Sequence, residues 1–548
     1  MKHEEGMVRD RGMEFETDDE ENMAEGIAGG NEYDCEEGYT TSPNSSYNAL
    51  PSPHSIPWPQ SYRQSMDIYS SFTPPTASFL AGSSLGIGSS ILCSSSPYRR
   101  SQVSVLDSSI RKPLLPPTTL DKEDQYSLPT PKHASIATSS NFDQPRRCSF
   151  TEAVLNGVNV LCGVALLSTP YAVNEGGWIG LLVLLTFCIL SCYTGILLKR
   201  CLDSSPGLQT YPDIGQAAFG VTGRILIAII LYTELYACCV EYTILMSDNL
   251  SHLFPNVSMN FFGVHLNSHY VFAITVTLLV LPTLLLRNLT LLSYLSAGGV
   301  IATICVVICL LWVGVIDQVG FHPSGTALNL VNLPVALGIY GFCYSGHSVF
   351  PNIYSSMKEP SKFPAALLVS FVICFVLYAG VAILGFLMFG DATQSQITLN
   401  MPKYFLASKI AAWTTVVNPL SKFALTMTPV ALSLEELWPS GQQKSHLVSV
   451  FIRTMLALST LIVSLTIPFF SYVMALIGSF FAMLICLILP SACYLKIHRG
   501  RVGRFQTAVC IFIIIIGLTC GSIGSYSAIK KIVDSFIEMW KHWLVFSN

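Results

Sequence analysis

The chain has 548 residues, 51% of them hydrophobic and only 12% charged, with a mean hydropathy of +0.51. A soluble domain carries about 25% charged residues, so this composition excludes a water-soluble body for most of the length. The net charge of −4 averages an acidic beginning with a nearly uncharged remainder, and no basic stripe with interleaved aromatics supports nucleic-acid binding.

Residues 1–148 read as a disordered tail. An acidic block from Glu14 through Glu20, Glu21 and Glu25 to Glu37 gives way to Ser/Pro-rich sequence with Ser42-Pro43, Ser52-Pro53, Thr73-Pro74, Ser96-Pro97 and Thr130-Pro131. No apolar stretch of signal-peptide type opens it. Ala77 to Cys93 is the one apolar stretch, but Gly82, Gly86, Gly88 and paired serines interrupt it. Arg99-Arg100-Ser101 and Arg146-Arg147-Cys148-Ser149 have the pattern of basic kinase sites, so kinases are expected partners of the tail.

From Phe150 onward, about eleven stretches approach the ~20 apolar residues that cross a hydrocarbon core. They lie near 150–173, 178–198, 223–247, 269–286, 290–315, 329–351, 363–389, 405–432, 447–467, 469–495 and 505–527. The predicted fold is therefore an all-α integral membrane domain over 149–527, followed by a short carboxyl tail, 528–548, with the lipid bilayer as its surroundings. Lys199, Arg200, Arg224, Arg287, Lys358, Lys362, Lys444, Lys496, Arg499, Arg501 and Arg504 fall in one set of loops. Residues 174–177, 248–268 and 317–328 have neither Lys nor Arg, and 390–404 has only Lys403. By the positive-inside rule the amino-terminal tail is cytosolic and the carboxyl end lies on the far side. Asn249 and Asn256 are glycosylation sequons on that far side, whereas Asn44 and Asn288 face the cytosol. Of the 17 cysteines, Cys35, Cys93 and Cys148 are in the tail and the others in or at the ends of spans. That placement predicts neither a disulfide framework nor a zinc site, and no metal or cofactor is expected.

The first and sixth spans are interrupted. Asn156, Gly157, Asn159, Gly163, Ser168, Thr169 and Pro170 crowd the first; Gly338, Gly341, Ser345, Gly346, His347, Ser348 and Pro351 crowd the sixth. Each has a Cys eight positions before its Pro, and each opens a set of five spans. Broken helices at matching places in two halves point to a transporter built from inverted repeats. The bland alternative is that Gly and Pro serve close helix packing. On the functional reading, freed N–H groups at Gly163, Val164 and Ala165 cradle a substrate carboxylate, with Tyr340, Cys343 and Tyr344 contacting the rest of it. In the third span Glu234 and Glu241, seven residues apart, share one helix face. They are either the groups that carry a coupled proton, Glu234 before Glu241, or structural carboxyls bonded to neighbouring hydroxyls. Glu435 and Glu436 are expected to be solvated, and His347 to be a hydrogen-bonded helix residue. No nucleophile–base pair, phosphate loop or metal cluster suggests an enzyme.

The residues Asn156 to Ala172 (Asn, then Gly163, Leu167, Pro170-Tyr171-Ala172) resemble the first span of the amino acid/auxin permease family. So do Glu175-Gly176-Gly177-Trp178, Tyr211-Pro212-Asp213-Ile214-Gly215, the sixth-span block and Asn418-Pro419-Leu420-Ser421-Lys422-Phe423. The long tail is similar to that of plant members of its vacuolar amino-acid transporter branch. The resemblance covers about 149–527 and implies a LeuT-like 5+5 inverted repeat. It further implies secondary transport of neutral amino acids, with proton coupling as antiport into the vacuole and H+ as coupling ion. The same fold leaves open a cation pocket formed by Asn156 and Ser421. An amino-acid sensor signalling through the tail is the alternative reading.

Overall fold

The computed structural model describes residues 58–63, 65–66, 148–261, 264–285, 289–322, 324–438 and 446–547. Most of the tail, the Arg99-Arg100-Ser101 site, Arg146, Arg147, Arg287, Lys444, Asn44 and Asn288 lie outside the described residues, whereas Ser149 of the second kinase site is described.

The membrane domain opens with α1, Phe150–Leu161, started by a reciprocal cap: Ser149 Oγ accepts from Glu152 N–H at 3.3 Å and Glu152 accepts from Ser149 N–H at 2.7 Å. A short 3₁₀ turn, Val164–Ser168, leads into α2, Thr169–Gly176, and the two parts of this first span are bent by 49°. Then come α3 (Gly180–Leu202), α4 (Tyr211–Leu253), a small antiparallel hairpin (β1, Met259–Phe261; β2, Val264–Leu266), α5 (Ser268–Leu285) and α6 (Leu289–Val315). The sixth span is again two pieces, α7 (Leu333–Cys343) and α8 (Phe350–Ser356). The remainder is α9 (Phe363–Phe389), a single turn α10 (Ile397–Asn400), α11 (Leu406–Leu437), α12 (His446–Thr466), a continuous helix from Phe470 to Ile497 that is π-wound over Ile477–Ile488, and α13 (Arg504–Ser547). Among the described residues eight helices are long and apolar enough to cross a membrane, nine with the bent first pair. The polar α11 and the divided α7–α8 are helical where spans were expected without meeting that test.

Two expected boundaries differ. Helix α4 begins at Tyr211, not near 223, because Thr210 and Asp213 form a capping box; Gly220, at φ 71°, then kinks it. Its Tyr211 hydroxyl donates to Ile485 O at 2.7 Å, which anchors the Tyr-Pro-Asp motif. At the other end α13 runs through the expected 528–548 tail to Ser547, because no Gly or Pro follows Gly524.

Contacts sort the loops into two faces. On one, Tyr354 donates to Asp203 at 2.6 Å, Lys358 N–H to Cys148 O at 2.9 Å, and Arg453 to Glu435 at 3.0 Å. On the other, Trp178 donates to Ser324 O at 3.1 Å, His322 N–H to Leu387 O at 2.7 Å, and Ser168 to Ser395 O at 2.6 Å. These are the same two sets of loops that the Lys and Arg asymmetry separates. Gly177, at φ 77°, turns the second face so tightly that an added Cβ would lie 2.8 Å from Ala327 O. Behind α7, Gly341 and Gly478 allow a close crossing: a Cβ on Gly341 would be 3.0 Å from Gly478 O.

One part of the tail contradicts the expectation of disorder. Residues 58–63, 65 and 66 lie against the first face, with Tyr62, Ser65 and Met66 buried. Trp58, Tyr62 and Met66 recur every four residues and lie among apolar partners, whose burial opposes the cost of ordering the segment. Trp58 and Tyr62 both meet the Tyr232 ring, at 5.6 and 5.9 Å between centroids.

Candidate functional site

The break in the first span exposes backbone groups of both signs. The freed carbonyls are answered from two other helices. Lys422 on α11 donates to Asn159 O at 3.1 Å, and the Tyr378 hydroxyl on α9 donates to Leu161 O. A cation at the carboxyl end of α1 also meets the negative end of its dipole. Lys422 is 7% exposed, and space for it exists because α6 presents Gly299: a Cβ there would lie 3.0 Å from Lys422 Cε and 2.6 Å from Asn159 Oδ1.

The N–H groups of the same stretch are less fully answered. Leu166 N–H rejoins the ladder at Gly163 O, 3.3 Å away, while among the described residues no backbone acceptor answers Val164 or Ala165 N–H. Gly163 departs from expectation, because its N–H folds back onto Leu161 O at 3.0 Å. The donor pair is therefore Val164 and Ala165, with Gly163 supplying the gap beside them. An added Cβ at Gly163 meets nothing within 4 Å.

These groups line a cavity of about 50 Å³ together with Val160, Leu161, Glu234, Leu235, Cys238, Tyr242, Phe342, Ser345, Ser348, Val349 and Thr426. That is room for water, not for an amino acid, so this is an occluded form. A second, smaller void of about 20 Å³ lies across the unwound strand, bordered by Thr303, Thr414, Thr415 and Asn418. Glu234 on α4 reaches the break of the sixth span and accepts from Ser345 Oγ. Among the described residues it is the one charged group on the wall of the larger cavity. Glu241 is fully buried, away from that wall, and neither of its oxygens has a partner among the described residues.

The sixth-span residues are placed differently from expectation. Tyr340 sits against Gly180 on α3, Tyr344 stacks on Phe371 at 5.6 Å and meets Tyr378 edge-on, and Cys343 is fully buried; none of the three lines the cavity. Their polarity and aromaticity made them candidates, whereas helical register decides which face is presented. Phe342, Ser345, Ser348 and Val349, at spacings of three and four, turn to the cavity. Asn156 and Ser421 do not converge either. Asn156 donates to Cys148 Sγ at 3.8 Å, and Ser421 back-bonds Asn418 O at 2.7 Å. It is the next residue, Lys422, that reaches the break. Glu435 and Glu436 are not simply solvated: Glu435 pairs with Arg453, and Glu436 accepts from the ordered tail segment. His347 bonds Thr194 at 3.0 Å and Ser191 O at 3.1 Å as a helix-packing residue.

Two half-helices that break around an occluded cavity, inside a bundle of membrane-length helices, define a multi-pass membrane transporter. The chain belongs to the transmembrane amino acid transporter protein family, whose model matches residues 146–530. It is 54% identical over 489 residues to amino acid transporter AVT1D of Arabidopsis thaliana, covering 88% of each chain, and 56% identical to AVT1E of the same plant, covering 87% of this chain and 91% of that one. The vesicular inhibitory amino acid transporter of Xenopus tropicalis is 25% identical, over 72% of this chain and 79% of its own. Among solved structures, MhsT in complex with L-phenylalanine is similar over 69% of this chain and 98% of its own, at 14% identity and a TM-score of 0.43. The protein is thus an amino acid transporter and not an enzyme.

Proposed function

We propose that the chain exchanges neutral amino acids for protons across the vacuolar membrane, filling the vacuole, with its amino terminus in the cytosol. The observation that carries this reading is the pairing of two kinds of group on one small cavity. The N–H groups of Val164 and Ala165 suit a carboxylate, and Glu234 is a carboxyl that can carry a proton beside them. When Glu234 is ionised it can hold the ammonium group of the substrate; when it is protonated that pairing is lost, so substrate and proton compete for the site, as exchange requires. Occupancy by substrate and by proton are coupled in that way. Lys422 supports protons over sodium, since a fixed ammonium already sits at the freed carbonyl where a mobile cation would otherwise bind. The substrate's side chain would lie against Phe342, Val349 and Val160, which favours uncharged amino acids.

The test is uptake of radiolabelled alanine or leucine into proteoliposomes with an acid interior. Accumulation that collapses with a protonophore, and is equal in sodium and choline, is the expected result. Accumulation that needs sodium and ignores the pH gradient would overturn the coupling.

A further inference from the structure

On the first face the chain's own tail reaches the wall of the larger cavity. Tyr62 is 1% exposed and donates to Ser348 O at 3.1 Å, and Ser348 is on the cavity wall. Burial, then the charges of Tyr232 and Glu234, holds the Tyr62 hydroxyl well above its usual range, so it remains a neutral donor. Around it the segment is held by groups from several elements. Trp58 Nε1 donates to Ser433 O at 3.1 Å, and Arg224, already paired with Asp213, donates to Trp58 O at 3.3 Å and Pro59 O at 2.9 Å. Glu436 accepts from Gln60 N–H at 2.9 Å, Ser61 N–H at 2.8 Å and Ser61 Oγ at 3.2 Å.

We propose that residues 58–63, with Ser65 and Met66, are a stopper for the cytosolic entrance of this transporter, latched by Glu436 and Arg224, and that negative charge placed on Ser61 withdraws it. The inference rests on the transport reading above. The segment bonds α4, α8 and α11, which surround the cavity and whose relative positions must change for the cavity to open. While it is docked those helices are tied together and the space beneath Ser348 is filled. A substrate arriving from the cytosol therefore meets only the undocked fraction, and the observed rate falls with that fraction.

Ser61 is the sensitive point because its hydroxyl lies directly on the Glu436 carboxylate. Phosphorylation there transfers the γ-phosphoryl group of a nucleoside triphosphate to Ser61 Oγ. The serine O–H and the β,γ-anhydride bonds break, a phosphate ester forms, and nucleoside diphosphate and a proton leave. The ester carries roughly −1.5 to −2 charges, which cannot share hydrogen-bond distance with a carboxylate. Ser61 is half-buried when docked, so the kinase acts on the undocked chain and traps it.

The experiment uses the full-length chain in proteoliposomes whose first face is outward. It compares wild type with Ser61→Asp, Glu436→Gln and Tyr62→Ala for alanine uptake, and follows hydrogen exchange of residues 58–63, 65 and 66. Wild type should show protected amides there. Each variant should lose protection roughly tenfold or more, the scale of one charge-assisted hydrogen bond, and should take up alanine several-fold faster. Lost protection with unchanged uptake would overturn the stopper while leaving transport intact, and unprotected amides in wild type would overturn the docking itself. Absence of uptake from every form would instead sink the transport reading, and this inference with it.

Discussion

Replacing Gly163 with Val tests the carboxylate cradle, and the structure sets both what should survive and what should fail. A Cβ at this position meets nothing within 4 Å, and φ is −110°, outside the left-handed region, so the Cβ itself is accommodated without a clash. Folding stability should therefore change by no more than about 1 kcal/mol, as at an unstrained surface position. The two added methyl groups, however, would stand beside Val164 and Ala165 on the cavity wall, where the carboxylate has to approach. Losing both hydrogen bonds to a charged carboxylate costs about 1.5–3 kcal/mol each, which corresponds to roughly a hundredfold or more in apparent affinity. Thermal unfolding of detergent-solubilised protein checks the first expectation, and concentration-dependent alanine counterflow in proteoliposomes checks the second. Wild-type affinity in a normally folded Gly163→Val would refute the assignment of this strand as the cradle.

Three further outcomes are expected. Lys422→Met should remain folded, because an apolar chain of similar length replaces a buried charge, but should lose most uptake at any sodium concentration; full activity would show that the ammonium has no part in the site. Asn256 is exposed and should carry any glycan in its loop. Asn249 is fully buried, bonding Leu245 O at 2.8 Å, Gln396 at 2.6 Å and Thr398 at 2.7 Å, so Asn249→Gln should leave gel mobility unchanged. The Cys148 thiol is pushed up to about 11 by burial and then by Glu152, so it is neutral at pH 7 and its alkylation should keep accelerating from pH 8 to pH 10. A rate that levels off near pH 9 would contradict that environment.

The arrangement of helices was legible because its causes are local. Apolar runs of membrane length, loops with and without Lys and Arg, and Gly, Ser, Thr and Pro inside two spans all follow from the energetics of a chain in lipid. The side-chain site was legible only in part. The position of Glu234 beside a cavity could be anticipated, since an ionisable residue at that depth needs a cavity or a partner, and it has both the cavity and Ser345. That Tyr340, Cys343 and Tyr344 lie off the cavity wall could not be read from sequence, because the break at Tyr344 interrupts the helical register on which a prediction of facing depends. Ser421 and Lys422 differ by one position, about 100° around α11, and the more costly residue proved to be the inward one. The docking of Trp58, Tyr62 and Met66 had a signal, a four-residue spacing of large side chains within a polar tail. A disordered composition around it concealed that signal.

Proton movement during exchange tests the central claim most directly. Proteoliposomes loaded with a pH-sensitive dye and held acid inside should show their interior turning alkaline when alanine is added outside, as protons leave in exchange for substrate. The Glu234→Gln variant should bind and exchange alanine between the two sides yet leave the interior pH unchanged. Alanine accumulation by wild type with no proton efflux, or full proton efflux from Glu234→Gln, would contradict the account.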